Sequence, residues 1–135
     1  MKVNLKWDTD IRDLSKQDIH ALVWETFRYC RKVLKMEPRG RVYPSLHIYP
    51  RKSSDAYGEY SPYLHLVEIY SSECDTLRRL IDTVIHEYTH SCQRWLTTRY
   101  FSLGYNKNPF EVEARRVARE NRTSCIKHLQ KVFND

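Results

Sequence analysis

The sequence predicts an α+β domain with an N-terminal helix, a small mixed sheet of about three strands, and two helices toward the C-terminus. Two observations support this prediction. Apolar residues recur at helical spacing in long segments near both ends of the chain, and the segments between them are rich in aromatic and β-branched residues. The chain has 135 residues, which is the size of one domain, so residues 1–135 are assigned to a single domain.

The first predicted elements are a short strand and a long helix. Residues 3–7 alternate between apolar and polar, which suits a strand. Ser15 is a candidate N-cap for the helix that follows, and apolar side chains continue at three- and four-residue spacing to near Met36. Pro38 then stops the helix.

Two further strands are predicted at residues 41–49 and 63–70, because both segments carry alternating or β-prone residues. The polar residues 51–62 between them are predicted to form a loop. Since strands adjacent in sequence are usually adjacent in space, a hairpin or a neighbouring pair is expected.

The last two helices have separate start signals. Asp75 is a candidate N-cap for the first of them. Asn108 can cap the second, Pro109 suits its first helical position, and Glu111 completes a capping box. The inward face of this last helix is predicted to carry Phe110, Ala114, Val117, Ala118 and Asn121.

Composition restricts the class of protein. The chain shows no signal peptide and no apolar run of membrane-spanning length, so a cytoplasmic location without membrane contact is expected. The net charge is +6, with a dense basic stretch at residues 28–41. A solvated helix face explains this stretch better than nucleic acid, which is a conceivable partner that no motif supports. The four cysteines lack zinc-finger spacing and are expected to be reduced.

The segment with the clearest chemistry is His86-Glu87-Tyr88-Thr89-His90. Histidines four residues apart lie on one helix face, where their imidazoles can bind one zinc ion. Glu87 projects from the same turn and can act as the general base without being a ligand. Gln93 is one turn further on, where it can contact substrate or a carboxylate behind the ligands.

A catalytic zinc takes three protein ligands and keeps one open position. The third ligand must come from elsewhere in the chain, and His128 is too far along the last helix to be preferred. Glu111 and Glu113 open that helix, and a turn through residues 99–108 would bring either carboxylate to the metal.

These residues resemble the gluzincin pattern. The His86 to His90 segment is followed by a second motif, Glu111-x-x-Ala114, with Val117 and Ala118 beyond it. This is similar to the glutamate helix of gluzincins, and the resemblance covers about residues 66–118. It is nearest to minimal domains such as the ImmA/IrrE-like proteins.

The resemblance implies Glu111 as the third ligand, and a strand at residues 63–70 that lies along the cleft and binds extended substrate. One position departs from the pattern, because Arg115 stands where the best-known gluzincins have an aspartate that orients a histidine. Glu113 therefore stays open as an alternative ligand.

The function expected from the sequence is a zinc-dependent metallopeptidase that hydrolyses peptide bonds through a zinc-activated water, with Glu87 as general base. We expect one zinc ion per chain, a protein or peptide substrate, and a monomer. Tyr57, Tyr60 and Tyr105 are candidates for stabilising the oxyanion. The alternative is a zinc-binding regulatory or interaction module without turnover, placed near nucleic acid.

Overall fold

The computed structural model describes residues 1, 3–50, 56–94 and 108–134, and its architecture confirms the α+β prediction. In chain order, the regular elements are helix α1 (Lys16–Lys32), strands β1 (Ser45–Tyr49), β2 (Gly58–Ser61) and β3 (Leu66–Tyr70), the short helix α2 (Ser71–Cys74), and the long helices α3 (Leu77–Cys92) and α4 (Pro109–Phe133). Short 3-10 turns occupy Ile11–Asp13 and Arg39–Arg41.

The sheet has the order β1-β3-β2, with β3 in the centre. The two strands predicted as neighbours, β1 and β3, do pair, but they run parallel rather than as a hairpin. Strand β2 pairs antiparallel with β3. The prediction of a loop throughout residues 51–62 was therefore wrong at Gly58–Ser61, because an edge strand buries little and carries polar residues that look like a loop.

The predicted strand at residues 3–7 is also wrong, because this segment joins no sheet and has a bend at Val3 and a turn at Trp7. The backbone N–H of Leu5 donates to Asn134 Oδ1 at 2.8 Å. The Leu5 carbonyl accepts from Asn134 Nδ2 at 3.1 Å and from Gln130 Nε2 at 3.0 Å. Side chains at the end of α4 thus take the place of a neighbouring strand while Leu5 is buried.

Helix α1 begins where its sequence predicts. The Ser15 side chain accepts from the Asp18 N–H at 3.0 Å, which confirms the N-cap. The helix ends at Lys32 rather than near Met36. Lys35 has a positive φ of 59°, a conformation that cannot continue a right-handed helix.

The starts of α3 and α4 differ in how well the sequence predicted them. Thr76, and not Asp75, caps α3 by accepting from the Arg79 N–H at 3.3 Å. Asp75 instead ends α2, with a positive φ of 62°. Asn108 caps α4 as predicted and accepts from the Phe110 N–H at 2.9 Å.

Helix α3 lies at the centre of the molecule and packs against α1, α4 and the sheet. Tyr88 on α3 is fully buried, and its hydroxyl donates to the Met36 carbonyl at 2.9 Å. Its ring contacts that of Phe27 at an angle of 42°, with the centroids 5.3 Å apart. On α4, Ala114 and Ala118 are fully buried, and such small side chains allow two helices to approach closely. These contacts fix the rotation of α3 and α4 about their axes.

The four cysteines are all free thiols, in agreement with the prediction. Within the described part of the chain, we find no helix that is both long and apolar enough to cross a bilayer.

Candidate metal centre

Three side chains converge between α3 and α4. His86 and His90 come from α3 and Glu111 from the first turn of α4, and their possible ligand atoms all lie within 4.8 Å of one another. His86 Nε2 lies 2.8 Å from Glu111 Oε2, and His90 Nε2 lies 2.9 Å from Glu111 Oε1. One carboxylate thus faces two imidazoles through its two oxygens, a group that can hold a metal ion.

Helical geometry explains why the two imidazoles meet. Residues four apart lie one above the other on a helix, and here the ring centroids are 5.0 Å apart with an angle of 79° between the planes. The opposite side of α3 carries the buried side chains Leu80, Ile81 and Val84, so the face with the two histidines is directed toward α4 and the cleft.

The three side chains differ in depth. The side chains of Glu111 and His90 are only 3% and 4% exposed, whereas that of His86 is 14% exposed. His90 and Glu111 therefore form the inner part of the group, and His86 lies toward solvent. A carboxylate this deeply buried requires positive charge or hydrogen-bond donors around it.

A buried amide lies directly behind His90. Gln93 Oε1 is 2.7 Å from His90 Nδ1, and Gln93 Nε2 donates to the Phe110 carbonyl and to Glu113 Oε1, both at 2.9 Å. A carbonyl and an ionised carboxylate can only accept, so both amide hydrogens of Gln93 are directed away from His90. The amide oxygen must therefore face the imidazole.

This orientation assigns the tautomer of His90. Because Gln93 Oε1 can only accept, His90 Nδ1 carries the proton, and Nε2 of the neutral ring is left with its lone pair toward Glu111. A lone pair and a carboxylate oxygen 2.9 Å apart repel unless a cation, either a proton or a metal ion, balances them. Burial alone would lower the pKa of His90, but its contacts with Glu111, Glu87 and Gln93 outweigh burial and raise it.

Glu87 lies beside the group without joining it. Its side chain is buried on α3 and borders the same cleft as the two histidines. Burial raises the pKa of Glu87, while the neighbouring His86 and His90 act in the opposite direction. A carboxylate placed here can accept and return a proton.

The cleft in front of the group has a volume of about 780 Å³. One wall is the edge strand β2, and Arg115 of α4 also borders the cleft. The strand expected along the cleft, residues 63–70, contributes Tyr63 and Glu68 to its lining, but most of this wall comes from Gly58–Ser61. Strand β3 lies behind β2 in the middle of the sheet.

The hydrogen-bond pattern shows which backbone groups of β2 face outward. Tyr70 N–H donates to the Tyr57 carbonyl, so these two residues form a hydrogen-bonded pair. Hydrogen-bonded and non-bonded pairs alternate along an antiparallel ladder, so Gly58 and Tyr60 direct their N–H and C=O groups away from β3. No other strand of the described residues pairs with this outer side.

Gly58 also sets the distance between β2 and α3. A Cβ at this position would lie 2.8 Å from the Glu68 carbonyl oxygen and 2.9 Å from Thr83 Cγ2. Both distances are shorter than van der Waals contact, so only glycine lets β2 pack this closely on α3 beside the cleft.

The tyrosines proposed for oxyanion stabilisation have different positions. The Tyr60 hydroxyl is 2.7 Å from His65 Nδ1 and accepts from Arg39 Nη2 at 2.8 Å. It therefore connects β2 to the turn at Arg39 and to the segment at His65. Tyr57 borders the cleft, and the Arg79 guanidinium lies 4.6 Å from its ring centroid. Tyr105 lies outside the described residues.

The two candidate glutamates of α4 also separate. Glu111 faces both imidazoles, whereas Glu113 binds the amide of Gln93.

Sequence reasoning missed the edge strand β2, whose only signal was the glycine flanked by tyrosines at residues 57–60. It did not foresee that Gln93 and Glu113 form one chain of hydrogen bonds to His90.

Comparison of the chain with protein-family models, with curated proteins and with solved structures gives no match. Functional inference therefore depends on the residues of the site themselves.

Proposed function

We propose that the protein is a zinc-dependent metallopeptidase of gluzincin type, in which His86, His90 and Glu111 hold the zinc ion and Glu87 is the general base. The observation that supports this most directly is the convergence of two imidazoles and one carboxylate in a cleft, beside a buried carboxylate that is not part of the group. A purely structural site would have no use for that fourth side chain.

The donor set fits zinc. Two imidazole nitrogens and one carboxylate oxygen are ligands that zinc accepts, and three protein ligands leave a position for water or substrate. The assigned tautomer of His90 presents the lone pair that a metal requires. When bound, zinc supplies Lewis acidity, which lowers the pKa of a water and polarises a carbonyl.

Glu87 supplies the proton transfers of the proposed reaction. Its carboxylate accepts a proton from the attacking water as the water oxygen forms a bond to the scissile carbonyl carbon. The same group then donates that proton to the leaving amide nitrogen as the C–N bond breaks, so the products are an acid and an amine. A buried position, which raises its pKa, suits a group that must both take and return a proton.

Gln93 and Glu113 act as positioning residues in this proposal. Gln93 holds the His90 ring in one tautomer and one orientation, and Glu113 and the Phe110 carbonyl hold the Gln93 amide in turn. These hydrogen bonds orient His90. Arg115, which stands where an aspartate is expected, cannot accept a hydrogen bond from a histidine and so cannot do this.

The substrate proposed is an extended peptide segment. Gly58 and Tyr60 present outward backbone donors and acceptors at the cleft, which an extended chain can meet by adding a strand to the sheet edge. This mode of binding uses main-chain hydrogen bonds and therefore suits protein substrates of varied sequence.

The proposal is tested with Glu87→Gln, which keeps size and shape while removing the base. The variant should bind about one zinc ion per chain, measured by mass spectrometry of the metal, and should lose at least about a hundredfold of any cleavage of a fluorescently labelled unfolded protein. His86→Ala should lose both zinc and cleavage. Unchanged cleavage by Glu87→Gln would exclude Glu87 as the base, and zinc binding without cleavage in the wild type would favour a module without turnover.

A further inference from the structure

A second concave surface lies on the N-terminal side of α3 and along the exposed face of α4. It has a volume of about 430 Å³ and is called here the basic groove. Its lining residues are Trp7, Arg78, Arg119, Arg122, Thr123, Ile126, Lys127 and Gln130.

Helical spacing builds one side of the basic groove. The lining residues of α4 begin at Arg119 and recur every three or four positions to Gln130, so they form one stripe on the helix. The other side comes from Trp7 and Arg78, which a backbone hydrogen bond of 2.9 Å from Arg78 N–H to the Trp7 carbonyl holds together. The groove is therefore built from elements that the core already fixes.

The charge of the basic groove is strongly one-sided. Four of its lining residues are Arg or Lys, and none is acidic. Arg122 is neutralised by Asp82 at 3.0 Å. Within the part of the chain that the structure describes, no ion pair forms at Arg78, Arg119 or Lys127. Three cations around one concavity repel one another and attract an anionic ligand.

An aromatic ring stands at the rim of the same groove. Trp7 is 59% exposed, which is unusual for the largest apolar side chain. The Arg78 guanidinium lies 5.9 Å from the Trp7 ring centroid, so it backs the indole while much of the ring stays accessible. An accessible indole beside fixed cations can stack on a flat aromatic ligand.

We propose that the basic groove binds single-stranded nucleic acid, with a base stacked on Trp7 and phosphates at Arg119 and Lys127. From Arg119 to Lys127 is about 12 Å along the helix axis, the length of three to four phosphates of one stacked strand. An acidic peptide or a lipid headgroup would use the cations but offers no nucleobase to stack on the indole. The bases of a duplex are paired and stacked on one another, whereas those of a single strand are free to stack on Trp7.

The basic groove adjoins the cleft, because Asp82 borders the cleft and also binds Arg122. Its proposed ligand nevertheless uses none of the metal-centre residues. Binding of single-stranded nucleic acid should therefore persist in metal-free protein. If no such binding is found, the proposed peptidase activity is not contradicted.

The test is fluorescence anisotropy of a labelled thymidine 15-mer with metal-free and zinc-loaded protein across a salt series. Arg119→Gln/Lys127→Gln should lower the slope of log affinity against log salt by about 1.4, since each phosphate contact on a single strand contributes about 0.7. The matched control is Lys16→Gln/Lys32→Gln, which makes the same charge change at exposed positions of α1 and should leave the slope within about 0.3.

Trp7→Ala tests the stacked base. It should weaken oligonucleotide binding at least about fivefold, the lower end for base–aromatic stacking, while Trp7→Phe recovers most of the loss. Binding of dextran sulfate should not change in either variant. An equal decrease of the salt slope in the Arg119/Lys127 and the Lys16/Lys32 double variants would overturn the proposal. An oligonucleotide affinity that is the same in Trp7→Ala and the wild type would also overturn it. Tighter binding to phosphatidylserine vesicles than to the oligonucleotide would assign the groove to a lipid surface instead.

Discussion

Replacing Gln93 with leucine tests the hydrogen-bond chain behind the metal centre. Leucine is close to glutamine in size, so packing is largely kept, but it removes the acceptor of His90 Nδ1 and both donors to Phe110 and Glu113. His90 then loses the contact that selects its tautomer, and the ring can rotate or expose the wrong nitrogen to Glu111.

The size of the effect follows from the partners lost. Outer partners of metal-binding histidines contribute about ten- to a hundredfold in metal affinity, or about 1.4 to 2.7 kcal/mol. Gln93 and His90 are both buried, so the His90 Nδ1–H also loses the acceptor Gln93 Oε1, which costs about 1 to 3 kcal/mol of folding stability. We therefore expect weaker zinc binding and a lower melting temperature together.

Competition with a chromophoric zinc chelator measures the affinity, and thermal denaturation of the metal-free protein measures the stability. The series compares Gln93→Leu with Glu111→Gln, with Glu113→Gln and with the control Gln17→Leu, at an exposed position of α1. Glu111→Gln should lose the most zinc affinity, Gln93→Leu about ten- to a hundredfold, Glu113→Gln less, and the control nothing.

Two results would refute this reasoning. Wild-type zinc affinity in a folded Gln93→Leu variant would show that His90 needs no outer partner. A larger loss in Glu113→Gln than in Glu111→Gln would show that Glu113 reaches the metal and that the observed contact with Gln93 is not the functional one.

Two further predictions concern the frame around the site. Gly58→Ala should destabilise the protein by about 1 to 3 kcal/mol, because the new methyl group overlaps the Glu68 carbonyl and Thr83. Adding Thr83→Ser to this variant should recover part of the melting temperature. An unchanged melting temperature in Gly58→Ala would contradict the close packing. Burial raises the pKa of Cys74 and Cys125 to about 12, so neither thiol should react with a thiol reagent at pH 8 in the folded protein. Both should react in denaturant. Rapid labelling of these two cysteines in the folded protein would contradict the observed burial.

The local features of the site could be predicted because their causes are local. His86 and His90 face the same way because of helical spacing alone, and Asn108 caps the last helix through a hydrogen bond to the nearby Phe110 N–H. The same reasoning failed for residues 3–7, where the partners of Leu5 lie at the far end of the chain. No pattern near Leu5 indicates that Asn134 is its partner.

The edge strand shows a second kind of limit. Strand β2 buries few side chains, so its residues lack the apolar alternation by which a strand is recognised. Its position depends on Gly58 packing against Thr83 of α3, a contact between distant segments. The pattern of residues 63–70 did identify the central strand β3, because that strand is buried on both sides.

By itself, the sequence determined the α+β class, the helix that carries His86, Glu87 and His90, and the place where α4 begins, since each depends on residues within a few positions of one another. Only the tertiary structure decided that Glu111 faces the imidazoles while Glu113 binds Gln93. The two glutamates are two positions apart and point to different sides of one helix. Which side meets α3 is set by how α4 packs through Ala114 and Ala118, a long-range contact that no local pattern specifies.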